Sequence, residues 1–153
     1  MPKREVDVLL IALSSPITVG VYENTELIET IESDKKSSDI LAPIFKELLD
    51  KYEIKGLFYA NGPGSFMAIK VAYIFLKSLS VLRKIPLFAR DAFYFNENQP
   101  IKAIGKLCFV KIASEIKTQK LETVPVLKFK LPSKLDYNEF STDAAPLYKI
   151  GAV

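Results

Sequence analysis

The run Asn61-Gly62-Pro63-Gly64-Ser65-Phe66 has the residue types and spacing of an anion site. Two glycines let a backbone approach a ligand closely, and a helix starting there would aim unpaired N–H groups at a negative charge. The chemistry such a turn serves is phosphate or nucleotide binding. Other candidate groups are few. Ser14 and Ser15 carry hydroxyls, and Cys108 is the one thiol. The 153 residues include no histidine, the commonest general base near neutral pH. A serine–histidine triad, a cysteine–histidine pair and a two-histidine zinc site are therefore excluded for this chain acting alone. With no base to activate them, Ser14 and Ser15 read as turn residues. Metal ligation would fall to carboxylates, and no run of acids has calcium-loop spacing, so no metal site is expected. The glycine loop also has a plain structural reading. Gly62 and Gly64 would permit a tight strand-to-helix turn, Ser65 would cap the helix, and this reading is preferred to live phosphate binding.

The elements that must position these residues follow from hydrophobic period. Val6 to Leu13 is an almost unbroken apolar run, as in a central strand covered on both faces. Ser14-Ser15-Pro16 turns the chain into a second strand, Ile17 to Tyr22, and the short connection makes a hairpin. Leu27 to Glu32 alternates as an edge strand. Ser37-Ser38-Asp39 supplies helix-start residues, and Ile40, Leu41, Ile44, Phe45, Leu48, Leu49 and Tyr52 follow at helical spacing. Pro43 is expected in the first turn of that helix, which ends near Glu53. Ile54 to Ala60 is a strand leading into the glycine loop, and Phe66 to Leu82 a second helix. Ile85 to Phe88 is a short strand, and Asp91 caps a short helix through Asn96. Asn96 to Pro100 reads as a linker, with strands expected over Lys106 to Ile112 and Leu121 to Phe129. Cys108, in mid-strand, reads as core.

Three hairpin-linked strands followed by helix, strand, helix and strand imply a mixed α/β sheet with right-handed crossovers. This is the half-unit of the actin and sugar-kinase (ribonuclease H-like) fold. The expected division is an N-terminal lobe over residues 1–97 and a reduced C-terminal lobe over 98–153.

Composition sets the context. Residues 1–98 hold 12 Lys and Arg against 13 Asp and Glu, whereas residues 99–153 hold 9 Lys against 5 acids. The tail lysines, among them Lys102, Lys106, Lys117, Lys128 and Lys130, are scattered without an arginine cluster, so a solvated face is preferred to an RNA-binding one. A lone cysteine argues for a reducing compartment. The first apolar run is too short, and broken by Asp7, for an export signal or membrane span, so the expectation is cytoplasmic.

The second helix carries a further signal. Apolar side chains cover nearly its whole circumference, interrupted by Lys70, Lys77, Ser78, Ser80 and Arg83. A surface helix buries one stripe, so one apolar all round needs a second cover. A partner protein is favoured as that cover over burial beneath the C-terminal segment.

Gly62-Pro63-Gly64-Ser65-Phe66, the apolar helix behind it, Ile85-Pro86-Leu87 and the Ser37-to-Pro43 helix start together resemble the TsaB (YeaZ) family of tRNA threonylcarbamoyladenosine biosynthesis proteins. The resemblance covers about residues 6–95. The family's G-P-G-S-F-T-G-L-R loop here continues as Met67-Ala68-Ile69-Lys70, and its Asp-Thr-Ser turn is here Ser14-Ser15-Pro16. In the kinase-like superfamily that aspartate helps to hold metal and phosphate, and its loss argues against ATP hydrolysis by this chain. The resemblance implies a non-catalytic scaffold, an inactive relative of ATPases. Such a scaffold pairs with a TsaD-type catalytic subunit and works with a TsaE-type ATPase on tRNA. It also implies self-association through the same two helices, no cofactor in this chain, and ATP or ADP only at the complex interface. The interface residues it implies are Ile40, Ile44, Phe45, Ile69, Lys70, Tyr73, Ile74 and Lys77. The competing reading is an enzyme, either a small nucleotide-binding ATPase or a glycoprotease-like peptidase.

Overall fold

The computed structural model describes residues 2–124 and 128–147. A five-stranded sheet is built from β1 (Arg4–Ile11), β2 (Ile17–Glu23), β3 (Glu26–Ser33), β4 (Tyr52–Ala60) and β5 (Leu87–Arg90), in the order β3-β2-β1-β4-β5. β1, β2 and β3 pair antiparallel, while β1–β4 and β4–β5 pair parallel. The parallel pairs require crossovers, and α1 (Ser37–Lys51) and α2 (Phe66–Arg83) supply them.

The central strands are apolar because both of their faces are covered. Val6, Val8 and Leu10 of β1 join α1 and α2 in one core, with Leu41, Phe45, Ala72 and Leu76. Leu9 and Ile11 point into a second core that contains Tyr22, Phe58, Phe93, Phe95, Phe109, Leu135 and Phe140. That second face is roofed by a 3-10 turn (Ala92–Phe95), by a small sheet of β6 (Ile101–Ile104), β7 (Leu107–Ile112) and β8 (Glu115–Lys120), and by the returning segment 128–147. This segment is termed the strap below. It bonds to both margins of the large sheet. Leu27 N–H donates to Ser133 O at 3.1 Å and Leu135 N–H to Thr25 O at 2.8 Å; at the other margin Ala89 and Ser141 exchange backbone bonds of 2.9 and 2.8 Å.

The mixed sheet with flanking helices is the architecture expected from the sequence, and β3 lies at its edge as the alternation of Leu27 to Glu32 implied. Several local expectations are corrected. Pro43 is the seventh residue of α1 rather than a first-turn residue, because the helix begins at Ser37. Its ring removes one internal N–H bond where the helix faces solvent. Lys36 occupies the N-cap without a side-chain bond, so the Ser37-Ser38-Asp39 cluster forms the first turn instead of capping it. The short strand after α2 is Leu87–Arg90, displaced from Ile85 to Phe88 because Ile85 N–H returns to Ser80 O at the helix end. Asn96 to Pro100 is no loose linker. Asn98 N–H bonds to Phe93 O at 3.0 Å, and Asn96 is buried. Residues 121–124 and 128–129 of the strand expected over Leu121 to Phe129 form no strand, and residues 125–127 lie outside the described residues; the third strand of the small sheet is instead β8, Glu115–Lys120, which was not expected. β8 is almost wholly exposed, so its Glu-Ile-Lys-Thr-Gln-Lys sequence carries little apolar signal. Among the described residues, no helix is long and apolar enough to cross a membrane.

Candidate functional site

The glycine loop leaves the C-terminal end of β4, where the parallel strands of an α/β sheet commonly present ligands. Here its groups are engaged by the protein. Asn61 N–H donates to Arg90 O at 3.1 Å, and Asn61 O accepts from Leu147 N–H at 2.7 Å. The Asn61 side-chain amide donates to Ala145 O at 2.8 Å, and Tyr59 donates its hydroxyl hydrogen to Ala144 O. Gly62 O accepts from Ala92 N–H at 2.8 Å. The end of the strap therefore lies across the loop. Both glycines face protein atoms at close range. A Cβ on Gly62 would stand 2.7 Å from Leu147 O, and its φ of +116° disfavours any side chain. A Cβ on Gly64 would stand 3.1 Å from Leu13 Cβ. Ser65 caps α2, its Oγ accepting from Ala68 N–H at 3.4 Å. Pro63 lies buried between the glycines, and Phe66 opens the helix half-exposed.

The Ser14-Ser15-Pro16 turn sits beside the starts of both helices. Ser15 Oγ donates to Asp34 Oδ1 at 3.4 Å. A cavity of about 470 Å³ there is lined by Ser14, Ser15, Lys35, Lys36, Ser37, Ser38, Ser65 and Met67, among others. Among the described residues, no three His, Cys, Asp or Glu side chains cluster as metal ligands would.

The two helices lie side by side on one sheet face, with Phe45 and Phe75 ring centroids 5.3 Å apart. α2 buries Ile69, Ala72 and Leu76. Its outer side leaves Phe66, Met67, Ile74, Val81 and Leu82 exposed, Ile74 by 53% and Leu82 by 80%. The residues expected at an interface divide accordingly. Ile44, Phe45 and Ile69 are buried in the chain's own core, whereas Ile40 and Tyr73 are half-buried. Tyr73 stacks on Tyr59 at 6.3 Å. Lys70, Ile74 and Lys77 are exposed. Met67, Val81 and Leu82 share the exposed side and were not picked out by sequence reasoning. The seven-residue recurrence Met67, Ile74, Val81 was the signal that could have found two of them.

A buried carboxylate held by a half-exposed tyrosine was also missed. Asp7, 1% exposed, stands in β1 facing the strap. Its Oδ2 accepts from the Tyr137 hydroxyl at 2.5 Å, across 130 residues of sequence, and its Oδ1 has no hydrogen-bond partner. Gly56 makes the room, since a Cβ there would lie 2.6 Å from Asp7 Oδ1, and the β1–β4 register slips by one residue at this point. Burial pushes the Asp7 carboxyl above its ordinary range, against the opposing pull of the Tyr137 bond and the Lys55 charge. Tyr137 is pushed up in turn, by burial first and then by Asp7.

This fold recurs in solved proteins. YeaZ from Pseudomonas aeruginosa superposes with a TM-score of 0.58 at 14% identity, over 76% of this chain and 65% of that one. A second structure, described as an uncharacterized protein with similarity to peptidase YeaZ from Pseudomonas aeruginosa, superposes with a TM-score of 0.56 at 15% identity, covering 80% and 69%. In sequence, the chain is 35% identical over 79 residues to the tRNA threonylcarbamoyladenosine biosynthesis protein TsaB of Buchnera aphidicola subsp. Acyrthosiphon pisum (strain APS). The chain is similar to the TsaB/YeaZ proteins, in sequence over 79 residues and in fold. The TsaB match takes in 47% of this chain and 35% of the relative, so it spans about a third of that protein's length. No family model matches the chain. The actin and sugar-kinase-like sheet expected from the sequence is the fold shared with the YeaZ structures.

Proposed function

We propose that this chain is a non-catalytic subunit of the machinery that makes threonylcarbamoyladenosine in tRNA, and that it docks on a TsaD-type catalytic subunit through α2, flanked by α1. The observation that carries this reading is the apolar outer side of α2, where Phe66, Met67, Ile74, Val81 and Leu82 stand exposed in a helix that already buries its opposite side. The relative's name supplies the pathway, and the family resemblance supplies the TsaD-type and TsaE-type partners. The absence of histidine and the engagement of the glycine loop by Leu13, Ile69 and Leu147 support a role without chemistry of its own. Complete burial of a large apolar side chain yields about 1.5–3 kcal/mol, and less here because each is already partly covered. Five such side chains give a total comparable with the cost of association, so the face suits a specific, moderate partner contact.

The test is co-purification with the catalytic homologue from the same cell. Wild-type chain should capture it, and Ile74→Asp should not. Failure to associate, or capture indifferent to Ile74→Asp, refutes the docking. The cavity beside Ser14, with Lys35 and Lys36 at the helix starts, favours one second reading, nucleotide binding. Purified chain that turned over ATP unaided, and lost that activity on Gly64→Val, would establish it.

A further inference from the structure

Among the described residues, buried side-chain polar atoms without a hydrogen-bond partner are Asp7 Oδ1, Asn61 Oδ1, Arg90 Nε and Asn96 Oδ1. Two of these residues, Asn61 and Arg90, line the same cavity of about 300 Å³. Its floor lies where the parallel strands β4 and β5 end, and the strap walls it with Glu139, Ser141 and Asp143. Open α/β sheets commonly hold ligands at this edge. Buried polar atoms are ordinarily satisfied, so an unpaired acceptor and an unpaired donor on one cavity point to a molecule that pairs with both.

The neighbours define the chemistry of that molecule. Asn61 is 6% exposed, and its Nδ2 donates to Ala145 O, which leaves Oδ1 as the open group. The Arg90 guanidinium lies over the Tyr94 ring, 5.0 Å from its centroid. It stands 3.6 Å from both Asp91 and Glu139, too far for a hydrogen bond. Asp91 is committed elsewhere, since Oδ1 accepts from Phe93 N–H at 3.0 Å and Oδ2 from Lys111 Nζ at 2.7 Å. With Asp91 balanced by Lys111, the cavity sets one cation, Arg90, against two carboxylates, Glu139 and Asp143. A phosphate or other plain anion would meet both carboxylates, and a plain cation would meet the arginine. A molecule with both charges meets neither conflict. We propose that this cavity binds a small α-amino acid with a neutral side chain, its carboxylate on Arg90 and its ammonium between Asn61 Oδ1 and the Glu139 and Asp143 carboxylates. Charge-assisted bonds of this kind are the strong ones, and a cavity at the small end of ligand sites suits a short side chain. The proposal is independent of the docking reading, because none of these residues belongs to α2.

The experiment is a titration of the whole chain with glycine, L-alanine and L-serine, followed by nitrogen-15 NMR. Binding should shift the Arg90 Nε–H and Asn61 side-chain amide signals, with a Kd in the millimolar range or tighter. Propionate and ethylamine each keep one charged group of L-alanine. Each should bind about tenfold more weakly or worse, the scale of losing one charge-assisted hydrogen bond. Arg90→Gln should weaken L-alanine binding by about tenfold or more. Glu139→Gln should weaken it severalfold, since that side chain is 42% exposed. Unfolding midpoints near that of wild type would verify that both variants fold, and the wild-type titrations decide the matter without them. No shift at Arg90 and Asn61 with any of the three amino acids at tens of millimolar overturns the proposal. Propionate or inorganic phosphate binding as tightly as L-alanine marks a simple anion site and overturns it too. So does L-alanine binding left unchanged by Arg90→Gln.

Discussion

Replacing Asp7 by Asn should stabilise this protein at neutral and alkaline pH. Asp7 is buried, one oxygen bonded to the Tyr137 hydroxyl and the other unpaired. Its folded-state pKa is raised, with burial as the leading cause. The folded state therefore holds the proton more tightly than the unfolded chain. Stability must fall as pH rises from the ordinary carboxylate range, near 4, through the raised folded value, and then level off. Asn has the same shape and can still accept from Tyr137, so the variant removes the buried charge and keeps the bond. It leaves an unpaired amide N–H where the carboxylate had an unpaired oxygen, so the gain is partial. An unpaired buried polar group costs about 1–3 kcal/mol, more when charged, which places the net gain near 1–2 kcal/mol. For a domain of this size that corresponds to a rise in Tm of about 3–6 °C. The assay is thermal unfolding of both proteins across a pH series. The two curves should converge in acid and separate as pH rises. A difference independent of pH, or an Asp7→Asn protein less stable above neutrality, would refute the reasoning.

Other outcomes follow from single contacts. Gly62→Ala should lower the urea midpoint by the equivalent of about 1–3 kcal/mol, because the new Cβ meets Leu147 O in a backbone region side chains avoid. Phe58→Ala removes a ring that contacts Phe88, Phe140 and Tyr137 at 4.8, 5.0 and 5.2 Å. Its cost should be about 3–5 kcal/mol, and trypsin should then cut the strap at Lys130 and Lys134 faster than in wild type. Cys108 is fully buried, so a thiol reagent should label it only at the rate of unfolding, and rapid labelling of native protein would contradict that placement.

The large sheet and its helices were legible because their signals are local. The apolar run of β1 marks a strand covered twice, and Ser65 after two glycines marks a helix start. The chain after β5 was legible only in part. β8 is exposed except at Ile116, so no hydrophobic period reveals it, and the apolar run that drew attention, Leu121 to Phe129, contains Pro125. The strap and the Asp7–Tyr137 bond were invisible for a different reason. They join residues far apart in the chain, and neither partner's neighbours in sequence betray the contact. At the candidate site, helical period identified α2 as having surplus apolar surface. It could not say that Ile69 faces inward while Met67, Ile74 and Val81 face out, since a helix apolar all round has almost no phase.

The strap has a consequence for how the protein is made. During synthesis the large sheet and both helices leave the ribosome before residues 128–147 exist. At typical elongation speeds, the rest of the chain takes on the order of several seconds to follow β5. For that interval Phe58 and Phe88, stacked at 4.8 Å, lack the cover of Tyr137 and Phe140. The nascent chain thus presents a greasy aromatic plate with two unzipped margins, a natural client for a chaperone. Rare codons placed between β5 and the strap would prolong that exposure and lower the yield of folded protein without altering one amino acid.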